Sequence, residues 1–294
     1  MHLFRRNLDP SEASPREATD RDLTPISRLL RSSTRRYMGF PSSELPGLLA
    51  GAPAMLLVAG DELWAAAIGG WRADTVSWLR GLALANHLPV AGGLDYLLPP
   101  FHALLRSRGL RTLFYAGDEA ADAWLQPLLI ERGYAPDTTV VVYEKRGMDV
   151  PTTGNPAARV RRAQAVDLPA VLAIDRACFD PQWHKDEGII GPSLLESPFF
   201  IVAELAGAPA GYAFVTTHLG GRLVHLVRIA ALPAHRGTGL GARLLAEVVG
   251  YARSLGADSI TLNTQTHNAA AQRLYERFGF RRTGEQQQVL RLDL

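Results

Sequence analysis

The residues best suited to chemistry lie in the run Arg236-Gly237-Thr238-Gly239-Leu240-Gly241, where an apolar stretch meets a helical pattern. The apolar stretch, residues 223–232, predicts a strand that ends at Pro233. After the glycines, apolar residues recur at helical spacing up to Leu255-Gly256, which predicts a helix that begins at the glycines. A strand that turns through glycines into a helix presents unpaired N–H groups and the positive end of the helix dipole. The run therefore predicts an anion site, best suited to phosphate.

Three phosphate-binding patterns compete for these glycines. A Walker loop requires Gly-Lys and then Ser or Thr, but Gly241 is followed by Ala and Arg, so this interpretation fails. Residues 237–242 satisfy the G-x-G-x-x-G/A pattern of a dinucleotide-binding turn, yet the expected acid about 20 residues later is missing at Leu262-Asn263-Thr264. The third pattern, R/Q-x-x-G-x-G/A, is that of a pyrophosphate loop, and Arg236 and Gly239 belong to it together with Gly241.

A second motif follows about 30 residues later, where residues 268–280 read Asn-Ala-Ala-Ala-Gln-Arg-Leu-Tyr-Glu-Arg-Phe-Gly-Phe. The two motifs, in this order and after a strand, resemble those of the GCN5-related N-acetyltransferase (GNAT) superfamily. The resemblance implies transfer of an acyl group, most often acetyl, from acetyl-CoA to a primary amine of a small molecule or a peptide N-terminus. It implies that the loop holds the pyrophosphate of coenzyme A and that Asn268 lies near the pantetheine arm.

The implied cofactor-binding residues lie on the strand, the loop and the second motif, and they are Ile229, Ala230, Ala231, Arg236, Gly237, Thr238, Gly239, Leu240, Gly241, Ala242 and Asn268. The backbone N–H groups of residues 229–231 are implied to hold the thioester carbonyl. Asn268 also suits the N-cap of the helix that begins after it. No metal is implied.

Tyr275 is the implied general acid, because a phenol near the thioester sulfur can protonate the leaving thiolate. Its alternative role is that of a core tyrosine on an apolar helix face. The base is less defined, since some family members carry a glutamate where this chain has Asn263. Other members place one at the position of His225, whose imidazole could accept a proton directly or through water. His218, His267 and a chain of waters are the remaining alternatives.

Trp183, followed by His184, lies in a segment that shapes the acceptor pocket in this superfamily, so Trp183 is a candidate substrate-binding residue. Its alternative role is that of a buried anchor for the loop. Cys178 is the single cysteine of the chain and is best interpreted as a small buried hydrophobic residue.

The composition fits a soluble globular protein. The chain has 294 residues, of which 47% are hydrophobic and 20% charged, with a formal net charge of +2, and nothing in it suggests nucleic-acid binding. One cysteine excludes an intrachain disulfide and a cysteine-rich metal site. We expect no secretory signal, because no apolar segment follows Arg5 and Arg6, and no membrane span, because no apolar run reaches 18 residues. A cytoplasmic enzyme is the expectation; the oligomeric state is not predicted.

Patterns of spacing predict the remaining elements. Predicted helices are 22–31, 43–49, 94–107, 120–132, 167–178, 240–255 and 269–277, and predicted strands are 55–59, 63–71, 75–84, 112–115, 140–144, 159–163, 199–204, 211–217, 223–232, 259–264 and 287–292. The segment 179–197 is predicted to be irregular.

Similar features recur at a nearly constant separation. Asp22-Leu23 corresponds to Asp167-Leu168 and Gly133-Tyr134 to Gly279-Phe280, with offsets of 145 and 146 residues. Such a repeat favours two copies of one fold. We therefore predict an α/β protein of two tandem GNAT-like domains, each with a mixed, mostly antiparallel central sheet flanked by helices. The predicted bounds are a flexible lead-in at 1–15, a degenerate domain at 16–147, a linker at 148–156 and a catalytic domain at 157–294.

The first copy lacks the chemical residues of the second. The positions of Arg236–Gly241 fall on Val90-Ala91-Gly92-Gly93-Leu94-Asp95, where a carboxylate would repel a phosphate. Leu129 occupies the position that corresponds to Tyr275, and Asp122 occupies the one that corresponds to Asn268. The first domain is therefore predicted to be structural or to shape the substrate site, with residual cofactor binding as the alternative. For the whole chain, the alternative is a non-catalytic acyl-CoA-binding or regulatory protein.

Overall fold

The computed structural model describes residues 7–118 and 123–294, and these form two compact units of α/β type. The first unit consists of the chain up to Asp137 together with Gln287–Leu294, and the second unit consists of Thr138–Gln286. The helices are α1 (Leu23–Ser32), α2 (Leu45–Gly51), α3 (Val90–Ser107), α4 (Gln126–Ile130), α5 (Leu168–Cys178), α6 (Glu187–Glu196), α7 (Leu240–Ser254) and α8 (Ala269–Arg277). The strands are β1 (Ser14–Glu17), β2 (Arg35–Met38), β3 (Ala54–Ala59), β4 (Glu62–Ala73), β5 (Val76–Leu84), β6 (Thr112–Asp118), β7 (Ala135–Arg146), β8 (Arg159–Arg162), β9 (Phe199–Leu205), β10 (Ala208–His218), β11 (Leu223–Ala231), β12 (Ser259–Gln265) and β13 (Arg281–Asp293). The predicted fold class is confirmed.

The second unit is built on a sheet with the strand order β7-β12-β11-β10-β9-β8. Its neighbours are antiparallel except β11 and β12, which are parallel. This parallel pair is hydrogen-bonded only from Leu223 to Leu226 on β11, and the two strands separate beyond that point. Apolar residues of α7 cover one face of the sheet and those of α5 the other, so both faces are buried. The separation of β11 and β12 creates the opening in which the candidate site lies.

The first unit repeats this plan with the order β1-β3-β4-β5-β6 and the end of β13 beside β6. Its parallel pair, β5 and β6, is hydrogen-bonded only from Val76 to Trp78 on β5. The repeat extends to an ion pair before the first helix of each copy. Arg16 binds both carboxylate oxygens of Asp22, and Arg161 binds those of Asp167 in the same way.

Each unit takes one strand from the other half of the sequence. Residues 140–146 of β7 pair with β12 in the second unit, and residues 287–293 of β13 pair with β6 in the first. The compact units therefore differ from the predicted domains, 16–147 and 157–294, at their last strands. The predicted linker belongs to the second unit, where Met148 and Val150 contact its apolar core.

Several predicted elements differ from the structure. The lead-in is not flexible as far as residue 15, because β1 pairs with β3. The segment 179–197 contains α6, which the pattern did not predict because Gly188, Gly191 and Pro192 interrupt it. The helix predicted at 120–132 is α4, which is shorter, and residues 120–122 lie outside the described part of the chain. Among the described residues, no helix is both long and apolar enough to cross a membrane.

Candidate active site

A cavity of about 870 Å³ opens where β11 and β12 separate in the second unit. Its walls come from the end of α5 and the segment after it, from β11, from β12, and from the first turns of α7 and α8. Most of the predicted site residues line it: Trp183, Ile229, Ala230, Ala231, Arg236, Gly237, Gly239, Leu240, Gly241, Ala242, Asn268 and Tyr275. The fold therefore brings the two predicted motifs to one site.

The glycine loop lies at one end of this cavity. A 3₁₀ turn, Pro233–His235, follows β11, and Gly237 and Gly239 then adopt φ values of 77° and 85°, which favour glycine. Within the described chain, the N–H groups of residues 237–242 have no backbone acceptor, since the first α7 bond runs from Arg243 N to Gly239 O. Unpaired N–H groups before and within the first turn of a helix are suited to bind an anion. Thr238 does not line the cavity, and its Oγ1 donates to His235 O at 2.8 Å.

A segment of the predicted linker holds this loop from behind, and residues 152–155 are called the strap. Asn155 N donates to Gly239 O at 3.1 Å. Gly154 has a φ of 72°, and a Cβ at this position would lie 2.3 Å from Arg243 N and 2.6 Å from Gly239 O. Only glycine fits between the strap and the start of α7. The strap thus supports the glycine loop, although residues 152–155 do not line the cavity.

Asn268 and Tyr275 lie on α8. Asn268 caps the helix, accepting from Ala271 N at 3.2 Å, as predicted. Tyr275 is 5% exposed, and its ring contacts those of Tyr143 and Phe280. Burial raises the pKa of Tyr275 to about 12, so the phenol keeps its proton at neutral pH. No described protein group hydrogen-bonds to its hydroxyl, which is therefore open to a ligand in the cavity.

The exchanged strand β7 supports the helix that carries Tyr275. Tyr143 of β7 donates its hydroxyl to Glu276 Oε1 at 3.1 Å. Gln272 donates to the carbonyl oxygens of Gln265 and Thr266 at 2.9 and 2.8 Å, which fixes α8 to the end of β12. These bonds join α8 to two strands and hold Tyr275 in position.

One edge of β11 faces the cavity. Residues 229–231 pair with β10 on one side, through Ala213, Tyr212 and Gly211. On the other side β12 has already separated, and its last partner on β11 is Leu226. Backbone groups of Ile229 and Ala231 on this edge have no strand partner among the described residues, and the predicted role of Ile229, Ala230 and Ala231 stays a prediction.

His225 does not line the cavity. Its Nδ1 lies 3.0 Å from Thr261 Oγ1, and burial together with His218 lowers the pKa of His225, so the imidazole is neutral at pH 7. This geometry does not support direct proton transfer from an amine in the cavity to His225. Asn263 and His267 do line the cavity, whereas His218 does not.

The sequence did not predict a buried ion pair beside the cavity. Asp175 of α5 is fully buried and accepts from Arg228 Nε and Nη2, both at 2.9 Å. Tyr212 also donates its hydroxyl to this carboxylate. Arg228 Nη2 donates to Trp183 O at 2.6 Å, and its guanidinium lies 3.4 Å above the ring of Phe179. The pair therefore fixes the segment after α5, which includes Trp183.

Cys178, at the end of α5, lines the cavity beside this segment. Its thiol donates to Ala231 O at 3.3 Å, and burial is the main cause that raises the pKa of Cys178. The thiol is therefore protonated at neutral pH and is a poor nucleophile.

Comparison with known proteins decides the family. The profile of the Acetyltransferase (GNAT) family matches residues 168–280, which include both motifs and the cavity. A protein of Bacillus subtilis assigned as a ribosomal-protein bS18-alanine N-acetyltransferase is 30% identical over 43% of this chain and 83% of its own length. The chain belongs to the GNAT family. It is accordingly an acyl-CoA-dependent N-acetyltransferase.

Solved structures of GNAT proteins share the two-copy fold. A GCN5-related N-acetyltransferase from Sphaerobacter thermophilus matches 97% of this chain and 97% of its own, with a TM-score of 0.61 and 18% identity. A tandem GNAT protein from the clavulanic acid biosynthesis pathway matches 96% of this chain and 98% of its own, with a TM-score of 0.60 and 13% identity. At these identities the likeness is one of fold.

The corresponding opening of the first GNAT copy is filled. Beyond Trp78, β5 pairs with β2 instead of β6, and Tyr37 of β2 donates to Ala116 O of β6 at 3.0 Å. Residues 90–95, which align with the glycine loop, are the first turns of α3 and form no turn of their own. A Cβ on Gly92 would lie 2.9 Å from Pro10 Cγ, so the chain before β1 covers this helix end.

Proposed function

We propose that the second unit transfers an acetyl group from acetyl-CoA to a primary amine of a small molecule or a peptide N-terminus by direct attack. One observation supports this most strongly. A single cavity is lined by Gly237 and residues 239–242 of the glycine loop, by the open edge of β11 and by Tyr275, and no described group accepts from those loop N–H groups or bonds to the Tyr275 hydroxyl. These are an anion site, a set of carbonyl-binding donors and a proton donor, arranged around one space.

In the proposed binding mode, the N–H groups of residues 237–242 hold the pyrophosphate, with Arg236 adding charge. Asn268 and the edge of β11 hold the pantetheine arm. The residues present fit this ligand, because Gly237 and Gly239 bring the backbone close and no carboxylate lies in the loop. Trp183 lines the acceptor side of the cavity.

In the proposed reaction, the backbone N–H groups of Ile229 and Ala231, on the edge of β11 away from β10, polarise the thioester carbonyl and the amine nitrogen bonds to its carbon. As the carbon–sulfur bond breaks, Tyr275 gives its proton to the leaving sulfur. Its pKa of about 12 keeps the donor loaded at neutral pH. Water, and not His225 directly, takes the proton that the amine loses. The resulting tyrosinate regains its proton from solvent.

We also propose that the first unit binds no acetyl-CoA, because β2 occupies the opening between β5 and β6. The predicted role of 16–147 as a degenerate domain rests on this filled opening and on Asp95, whose carboxylate forms an ion pair with Arg132 at 2.7 Å.

The test combines calorimetric binding of acetyl-CoA with an assay of thiol release across a panel of amines. Tyr275→Phe should lower kcat by about 10²- to 10⁴-fold, the usual contribution of a general acid, and leave the Kd for acetyl-CoA unchanged. Tyr251→Phe is the matched control, since Tyr251 stacks on Phe199 outside the cavity. Unchanged turnover in Tyr275→Phe contradicts the acid role. Binding without turnover on any amine favours a non-catalytic acyl-CoA-binding protein.

A further inference from the structure

The Arg228 side chain has a donor that the described protein does not use. Its Nε and Nη2 bind Asp175 and Trp183 O, whereas no described group accepts from Nη1. The side chain is only 10% exposed and lines the cavity, yet Nη1 is absent from the buried atoms that lack a partner. Nη1 is therefore accessible, and it belongs to a side chain that lines the cavity.

The direction of Nη1 is fixed. The bidentate bond to Asp175 sets the plane of the guanidinium, and the ring of Phe179, 3.4 Å from Cζ, covers one of its faces. A planar guanidinium held in this way loses little freedom when its last donor binds a ligand. Nη1 is therefore a hydrogen-bond donor held in a fixed orientation, unlike the donors of a mobile surface side chain.

Arg228 lies at the acceptor side of the cavity. It is three residues before Ala231 on β11, which corresponds to about 10 Å along an extended strand, away from the glycine loop. Its neighbours on the wall are Phe179 and Trp183, from the segment after α5. A ligand that extends from the loop along β11 therefore brings its reacting end towards Arg228, and the amine enters there.

The charges of this wall favour a neutral oxygen over a carboxylate. Asp175 neutralises Arg228, so the pair adds no net positive charge. Asp180 is exposed, forms no ion pair with any described residue and is the one carboxylate among the described residues that line the cavity. It attracts an ammonium group and repels a carboxylate.

We infer that Arg228 Nη1 donates to a carbonyl oxygen of the acceptor and that the acceptor is an amino amide, which is a primary amine carrying a neutral amide carbonyl nearby. A peptide N-terminus and a small aminoacyl amide share this chemistry. The inference rests on the proposed transfer to a primary amine and specifies its substrate class.

The test compares three acceptors of equal size: glycinamide as the amide, isobutylamine as the alkyl amine and glycine as the carboxylate. Triglycine amide represents a peptide, and the same series is also built on alanine. Rates are expressed per unprotonated amine, because the four amines differ in their own pKa values. The wild-type protein should prefer the amide over the alkyl amine by about 10- to 100-fold in kcat/KM, as expected for one hydrogen bond to a charged group. A preference for triglycine amide indicates that the acceptor is a peptide N-terminus, and a preference for glycinamide indicates that it is a small aminoacyl amide.

Arg228→Lys keeps a cation beside Asp175 but removes Nη1 together with the bidentate bond to Asp175. Because it also removes the bond from Nη2 to Trp183 O, it should lower kcat/KM for both amines, by about 10-fold or more further for the amide than for the alkyl amine, and leave the Kd for acetyl-CoA unchanged. Tyr212→Phe is the control, since it removes one bond to Asp175 and leaves Nη1 in place. Asp180→Asn should reduce the discrimination against glycine.

Three results overturn the inference: equal use of amide and alkyl amine by the wild type, equal losses on both in Arg228→Lys, or preference for the free amino acid. A wild-type protein that binds acetyl-CoA but acetylates no amine contradicts the proposed function itself, which is a separate outcome.

Discussion

Substitution of Gly154 tests whether the strap is part of the cofactor site. In Gly154→Ala the new methyl group would lie 2.3 Å from Arg243 N and 2.6 Å from Gly239 O, both backbone atoms of the loop and helix start. No side-chain rotation relieves this contact. Either the strap moves away and breaks the bond from Asn155 N to Gly239 O, or the glycine loop moves towards the cavity.

The cost has two parts. A left-handed φ of 72° costs an alanine about 1–2 kcal/mol. The steric contact adds about 1–3 kcal/mol and the lost hydrogen bond about 1 kcal/mol. Gly256→Ala is the matched control, because Gly256 has a φ of 68° and an added methyl group there would meet nothing within 4 Å. The control therefore has the cost of the left-handed φ without the steric contact or the lost hydrogen bond. Gly154→Ala should accordingly be about 2–4 kcal/mol less stable than the control.

The assays are thermal unfolding and calorimetric titration with acetyl-CoA. Gly154→Ala should unfold at a Tm about 5–15 °C below that of Gly256→Ala. If displacement of the loop removes one charge-assisted bond to the pyrophosphate, the Kd for acetyl-CoA should rise by about 10- to 100-fold, while the control retains the wild-type Kd. Equal Tm and Kd values in the two variants would refute a role for the strap.

Three further predictions address the first unit, the base and acid stability. Calorimetry should find one acetyl-CoA site per chain, because β2 fills the first opening; two sites would contradict this. His225→Gln should keep most of the wild-type turnover, because His225 does not line the cavity, and a loss of about 100-fold, as for a direct base, would restore it to that role. Arg16 lowers the pKa of Asp22 to about 2 and Arg161 lowers that of Asp167, so the stability they add is present above pH 3.8 and is lost as the pH falls towards 2. Denaturant titrations at pH 7, 4 and 3 should show this decline, and Asp22→Asn should flatten it.

The parts of the site that were predictable from sequence depend on local chain geometry. Glycine spacing predicted where α7 begins, and the asparagine before an apolar pattern predicted both the cap and the bounds of α8, which the structure confirms. The same reasoning placed the start of α3 too late, at Leu94. In α3, Gly92 and Gly93 are helical, and glycine is needed there because Pro10 and Leu88 approach closely.

The parts that were not predictable depend on pairing between distant segments. Asp175 and Arg228 are 53 residues apart, and nothing in either local sequence indicates a buried partner. β2 is short and its sequence, Arg-Arg-Tyr-Met, gave no strand pattern, yet it pairs with β5. Each last strand, β7 or β13, could pair within its own half of the sequence or with the other half. The order of elements along the chain is the same in both cases, so a repeat of about 145 residues does not distinguish them.

The two units together explain why only one should bind the cofactor. In each, a parallel strand pair separates after three or four residues and leaves backbone N–H and C=O groups without a strand partner. Such edges need hydrogen-bonding partners. In the first unit β2 supplies them along residues 81–84 of β5. In the described part of the second unit no strand does so beyond Leu226 of β11; the Cys178 thiol donates to Ala231 O, and the other groups of this edge are open to a bound molecule. An extended molecule with its own amide groups, such as a pantetheine arm, meets that need, and the adjacent glycine loop supplies the site for its phosphates.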